Sequence, residues 1–230
     1  SWSPDGETVA FSGLKNGQSD IYTYNLSSKK LVQLMDDYYS DVQPSFSRDG
    51  RYIVFGTDRV ALQSDNRSVD IPMNLAIYDL QKSTFRNLDS FPGANNLNPH
   101  FSADGSSVYF LSNNDGFRNM YRITLASMQV ERLTDYFTGI SGITEYSPAM
   151  SVSANDDIVY SFFKNNEYSV YRADASEFES VIVDNQIVDF RAALLFPDED
   201  RGVDIINYNL RNFNAYQRIS STQINPTAYR

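Results

Sequence analysis

Ser47-Arg48-Asp49-Gly50-Arg51-Tyr52-Ile53-Val54-Phe55 is the stretch whose reading decides the fold. A tight turn needs a backbone with φ > 0 at low cost, which glycine supplies, and an aspartate beside it can hydrogen-bond its own backbone. Three consecutive apolar residues then suit a strand buried on both faces rather than an amphipathic edge strand. The pattern recurs. Ser3-Pro4-Asp5-Gly6 precedes Val9-Ala10-Phe11, and Ser102-Ala103-Asp104-Gly105 precedes Val108-Tyr109-Phe110. A degenerate copy, Ser153-Ala154-Asn155-Asp156, precedes Ile158-Val159-Tyr160.

Beyond each apolar run lies a second segment rich in β-branched and aromatic residues: Ile21 to Tyr24, Leu75 to Tyr78, Met120 to Ile123 and Val170 to Arg172. Leu26 and Leu34, Leu80 and Leu88, and Leu125 and Leu133 keep one fixed spacing, shared by Ala175 and Val183, so a turn and a further strand recur as well. The unit is strand, Asp-Gly turn, strand, strand, turn, strand, which describes one propeller blade. Asp5, Gly6, Asp49, Gly50, Asp104 and Gly105 are structural turn residues on this reading. Tyr22, Tyr24, Tyr121 and Tyr171 repeat at equivalent blade positions and read as inter-blade core rather than as a sugar-stacking platform.

These turns and strands, with Asp20-Ile21-Tyr22 and the closing Arg132-Leu133-Thr134, resemble the TolB-type, WD40-like β-propeller repeat over residues 1 to 183. The expected fold is all-β: a β-propeller of four-stranded antiparallel blades near residues 1–40, 41–95, 96–146 and 147–183. The resemblance implies that these four belong to a six-bladed ring. Residues 184–230 read as a non-repeat tail leading to a further domain. It is either a degenerate fifth blade on Ala193 to Phe196 and Asp204 to Tyr208, or a helix with Asp204 as N-cap and Val203, Ile206, Leu210 and Phe213 at helical spacing, which is favoured. The chain reads as a slice of something longer.

Composition limits the chemistry. The 230 residues contain no cysteine, which removes thiolate nucleophiles and cysteine-type zinc sites. No apolar stretch approaches the roughly 20 residues of a membrane helix. A net charge of −10 opposes nucleic-acid binding. His100 is the single histidine, so any Ser-His-Asp triad must use it, yet it occupies the strand position held by Ser45 in the preceding repeat. Gly139-Ile140-Ser141-Gly142 lacks the spacing of a nucleophile elbow. Asp36-Asp37 with Asp41, Asp156-Asp157 and Asp198-Glu199-Asp200 carry the ligand type calcium prefers but not the spacing of a calcium loop, and they read as solvated surface charge. No catalytic residue, metal ligand or cofactor is therefore expected.

One segment stands out as a candidate interaction loop. The second repeat carries ten extra residues between Phe55 and Leu75, within residues 58 to 72, and such insertions fall on one face of a propeller. Arg59, Asp65, Asn66, Arg67 and Asp70 would offer charged and polar, mobile side chains there. The family resemblance implies a non-catalytic scaffold that binds a protein or peptide partner in the periplasm or at the outer membrane of a Gram-negative bacterium. The alternative is the substrate-filtering propeller of a prolyl-oligopeptidase-type serine peptidase whose catalytic domain lies outside this chain. A third reading places metal or glycosidase chemistry on carboxylates around the central channel.

Overall fold

The computed structural model describes residues 1–64, 71–88, 90–164 and 166–193, all within one compact unit. The Ser-x-Asp-Gly turn is a small hydrogen-bond relay. In the three intact copies the serine hydroxyl donates to the aspartate Oδ1 at 2.5–2.6 Å and accepts the amide five residues on at 2.8–3.0 Å. The same carboxylate oxygen accepts the amide just after the glycine. These donors hold Asp5, Asp49 and Asp104 below the usual carboxylate range, the serine hydroxyl contributing most. Gly6, Gly50 and Gly105 sit at φ of +71° to +72°, where a Cβ is disfavoured. In the degenerate copy Asp156 takes that position at φ +60°, and its carboxylate instead accepts the Ala103 amide of the preceding turn at 2.8 Å.

Around these turns the strands form four antiparallel sheets. The first holds β1 (Thr8–Lys15), β2 (Gln18–Asn25) and β3 (Lys30–Gln33). The second holds β4 (Asp41–Phe46), β5 (Tyr52–Thr57), β6 (Asn74–Asp79) and β7 (Thr84–Leu88). The third is built on β8 (Asn96–Phe101), β9 (Ser107–Ser112), β10 (Asn119–Thr124) and β11 (Val130–Arg132). The fourth holds β12 (Met150–Val152), β13 (Asp157–Lys164) and β14 (Glu167–Asp174). β1 packs on β4, β4 on β8 and β8 on β12, so the sheets follow one another as propeller blades with β4, β8 and β12 as inner strands.

The apolar runs alternate between neighbours because successive side chains leave opposite faces of a strand. Ile53 and Phe55 join Ala10, Ile21 and Met35 in the core between the first and second sheets. Val54 points the other way, into Phe101, Val108, Phe110 and Tyr121 of the third. Tyr109 and Leu111 continue to Met150, Ile158 and Tyr160 of the fourth. Phe91, Phe110 and Tyr121 form a ring cluster with centroids 4.9–6.3 Å apart at the middle interface. Burying each such side chain contributes about 1.5–3 kcal/mol.

Three expectations are corrected. Val183 keeps the leucine spacing but not the strand assignment. β15 (Val181–Val183) pairs with β11, Val183 opposite Val130, and becomes a fifth strand on the third sheet. The fourth sheet ends at Asp174, where a capping box of Asp174 and Glu177 opens a short 3-10 turn that carries the chain away, so residues 147–183 are not one blade. The first sheet has three strands, and the missing innermost one is represented by the single Trp2–Val9 bridge. Burial on both faces holds only for the middle sheets. Within this chain Phe11, Val159 and Tyr171 are exposed on the outer flanks of the first and fourth, Tyr171 stacking on Tyr160 and meeting Phe162 edge-on. Of the tail, residues 194–230, with the helix and fifth-blade alternatives, lie outside the described residues.

Candidate functional site

The innermost strands carry a repeated device. β4 and β8 each bulge at the residue before a proline, Gln43-Pro44 and Asn98-Pro99, where Gln43 and Asn98 adopt φ of 55° and 56°. The bulge turns each amide side chain toward the next blade. Gln43 Oε1 accepts the Asn98 amide at 2.6 Å, and Asn98 Oδ1 accepts the amides of Ala149 and Met150 at 2.7 and 2.9 Å. Behind Gln43, its own amide donates to Ser12 Oγ at 3.0 Å. A chain of side-chain to backbone bonds thus joins all four sheets near the axis.

His100 stands two residues beyond this bulge. Its Nε2 lies 3.1 Å from the Met150 carbonyl, which can only accept, so Nε2 carries the hydrogen and Nδ1 accepts from the Ser45 hydroxyl at 3.2 Å. The Asn98 amide nitrogen is a longer contact at 3.3 Å. A serine on a histidine has the outline of a nucleophile and its base, but the group orienting the ring is a neutral carbonyl where a triad has a carboxylate. Burial lowers the imidazole to about 4, the Met150 carbonyl opposing it, so the ring is neutral and a weak base at neutral pH. Ser45 is itself buried. Beside these groups opens a cleft of about 550 Å³ lined by Trp2, Phe11, Arg48, His100, Pro148 and Ala154 among others.

The insertion is only partly what its sequence suggests. Asp65, Asn66, Arg67 and Asp70 lie outside the described residues. Arg59 opens a one-turn helix, α1 (Arg59–Gln63), and is 6% exposed. Its guanidinium lies over the rings of Tyr39 and Phe85 at 4.2 and 4.4 Å, and Nη2 pairs with Asp37 at 2.7 Å. It is a fixed internal cation, not a mobile surface charge. The aromatic cage explains the difference, because a guanidinium stacked on two rings is weakly hydrated and tolerates burial.

Arg59 faces an acidic cluster that is not solvated surface charge either. Asp20, Asp37 and Asp41 bring carboxylate oxygens within 4.8 Å of one another. Asp20 is 2% and Asp41 0% exposed. Gln33 donates to Asp20 Oδ2 at 2.8 Å, and Asp20 Oδ1 and both oxygens of Asp41 have no hydrogen-bond partner among the described residues. The Thr57 hydroxyl and Arg59, 3.8 Å from Asp41 Oδ2, favour the Asp41 anion without meeting hydrogen-bond geometry, and desolvation outweighs them, raising this carboxyl to about 7. Of the other acidic pairs, Asp157 is neutralised by Arg172 at 2.9 Å, and Asp198 to Asp200 lie outside the described residues.

No family model matches the chain. It is 27% identical over 143 residues to dipeptidyl-peptidase 5 of Porphyromonas gingivalis, covering 58% of this chain and 20% of that protein. It is 31% identical over 147 residues to the Agrobacterium fabrum protein Atu1656, covering 60% of this chain and 46% of that one. Among solved structures it is similar to TolB from Acinetobacter baumannii, with a TM-score of 0.60 at 20% identity over 82% of this chain and 43% of that one. The chain thus spans between a fifth and just under half of these proteins. Successive antiparallel sheets of three to five strands, stacked face to face about their inner strands, define a β-propeller. Its fold is similar to that of the TolB neighbour. Among the described residues no helix is long and apolar enough to cross a membrane.

Proposed function

We propose that this chain is a non-catalytic propeller that binds a protein or peptide partner in the bacterial cell envelope. The observation that carries this reading is the state of the axial cleft. Its histidine is neutral and held at both ring nitrogens, and the amides beside it are used in joining blades. What remains for a partner is shape and apolar surface, with Trp2 61% exposed at the cleft beside Phe11. Aromatic anchors at the edge of a pocket are the usual source of binding energy at protein interfaces. The resemblance to TolB supports the envelope location.

The second reading, a propeller that filters substrates for a serine peptidase, is favoured by the similarity to dipeptidyl-peptidase 5. Both readings assign no chemistry to the described residues and differ in what accompanies them. The test uses the protein expressed from its complete reading frame. Crosslinking to envelope proteins that weakens on Trp2→Ala, with no turnover of chromogenic dipeptide substrates, supports the scaffold. Turnover abolished by replacing a serine outside residues 1–230 establishes the peptidase and ends the scaffold reading.

A further inference from the structure

The propeller supplies its own reference for the acidic cluster. Position by position, Asp20 on β2 corresponds to Asn74 on β6, since Asp20 lies two residues before the partner of Phe11, and Asn74 two before the partner of Phe55. Asp41 on β4 corresponds to Asn96 on β8, each opening the bulged inner strand. At the interface between the second and third sheets the two neutral asparagines bond directly, Asn96 Nδ2 donating to Asn74 Oδ1 at 3.2 Å, while Asn96 Oδ1 has no partner among the described residues. At the interface between the first and second sheets the same two positions are both aspartate. A pair of carboxylates offers acceptors only, and a buried unpartnered carboxylate is costly.

We infer that Asp20, Asp37 and Asp41 form a divalent-cation site between the first and second blades, with Ca²⁺ as its natural occupant. The charge balance supports a divalent ion, because with all three carboxylates ionised the adjoining Arg59 guanidinium offsets only one of three negative charges. The donor set is all oxygen, which selects a hard cation over zinc or copper. Calcium fits better than magnesium, which keeps several of its waters, whereas Asp41 is fully enclosed and must touch the ion directly. Asp37, the most exposed of the three, leaves an open side for water ligands and for entry. Arg59 repels the ion from that same side, so the affinity belongs with weak extracellular calcium modules, of order 10⁻⁴–10⁻³ M. The site stands apart from the axial cleft and does not depend on the partner proposed above.

The test is a calcium titration of the chain, read by calorimetry and by thermal melting, against magnesium and against sodium chloride of equal ionic strength. Direct heat of binding with one calcium per chain is expected, and at 10 mM calcium a rise of about 3–10 °C in Tm. The double variant Asp20→Asn/Asp41→Asn copies the asparagine pair of the neighbouring interface. It is expected to melt at or above the metal-free wild type and to lose the calcium response. No calcium heat and no Tm shift in wild-type protein overturns the site and leaves Asp41 as an acid that holds a proton. A calcium response that survives in the double variant overturns it equally, and if that variant fails to fold the calorimetry on wild type decides alone.

Discussion

Without calcium, Asp41 makes stability fall as pH rises, the reverse of the usual behaviour of a carboxylate. Its ordinary value is 3.8, and burial raises it to about 7 in the folded chain. The folded state therefore holds the proton more tightly than the unfolded chain. The resulting stabilisation is fully present below about pH 4 and is lost progressively as pH climbs through 7. A shift of about three units at 1.36 kcal/mol each puts the loss at about 4 kcal/mol, with little solvent screening because the side chain is fully enclosed. The groups facing it set the sign: Arg59 and Thr57 favour the anion, Asp37 and Asp20 oppose it, and desolvation dominates. Urea denaturation of wild type and Asp41→Asn in a chelator from pH 4.5 to 8 measures this as the difference between the two. That difference excludes the turn aspartates, whose lowered values act in the opposite direction and are common to both proteins. A wild-type chain that loses several kcal/mol relative to the variant across this range is expected. A flat difference, or wild type gaining ground as pH rises, refutes the buried-carboxylate account.

Two further outcomes test the blade architecture. Asn98→Ala strands the buried amides of Ala149 and Met150 and places alanine at φ 56°, so a loss of about 3 kcal/mol in chemical denaturation is expected. At Gly50 an added Cβ meets Pro4 Cδ at 3.5 Å, an ordinary contact, so the φ of +72° sets a cost of at least about 1–2 kcal/mol for Gly50→Val. Gly50→Asn, which tolerates that conformation, is expected to melt closer to wild type.

The blade was legible because its signals are local. A serine, an aspartate and a glycine at fixed offsets specify one hydrogen-bond relay, and the apolar run after it specifies a strand that must be covered on both faces. What failed was non-local. Val183 kept the leucine spacing, but whether a fourth strand returns to its own sheet or crosses to the previous one depends on the turn at Asp174, and spacing carries no information about direction. Arg59 looked mobile because a polar insertion reads as solvated, while the rings that enclose it come from Tyr39 and Phe85, on either side of it in sequence.

The acidic cluster was hidden for a different reason. Asp36, Asp37 and Asp41 read as a surface group because close spacing of charges in a loop usually means solvation. The residue that changes this is Asp20, a strand away, and it becomes visible only when the repeats are compared column by column instead of motif by motif. Asparagine fills its column at 74 and 119, and fills the Asp41 column at 96. In each case the side chain is neutral and bonds within the blades, Asn96 donating to Asn74 and Asn119 accepting from Thr134 and the Tyr136 amide, with Asn96 Oδ1 and Asn119 Nδ2 left without a partner among the described residues. An amide carries both a donor and an acceptor, whereas a carboxylate at neutral pH carries acceptors alone. Two carboxylates facing each other at such an interface therefore require either a retained proton or a cation that the repeat does not otherwise contain, and Arg59 supplies only one positive charge. In a repeat protein the departure from the repeat's own pattern, more than any motif, is where a site has to be sought.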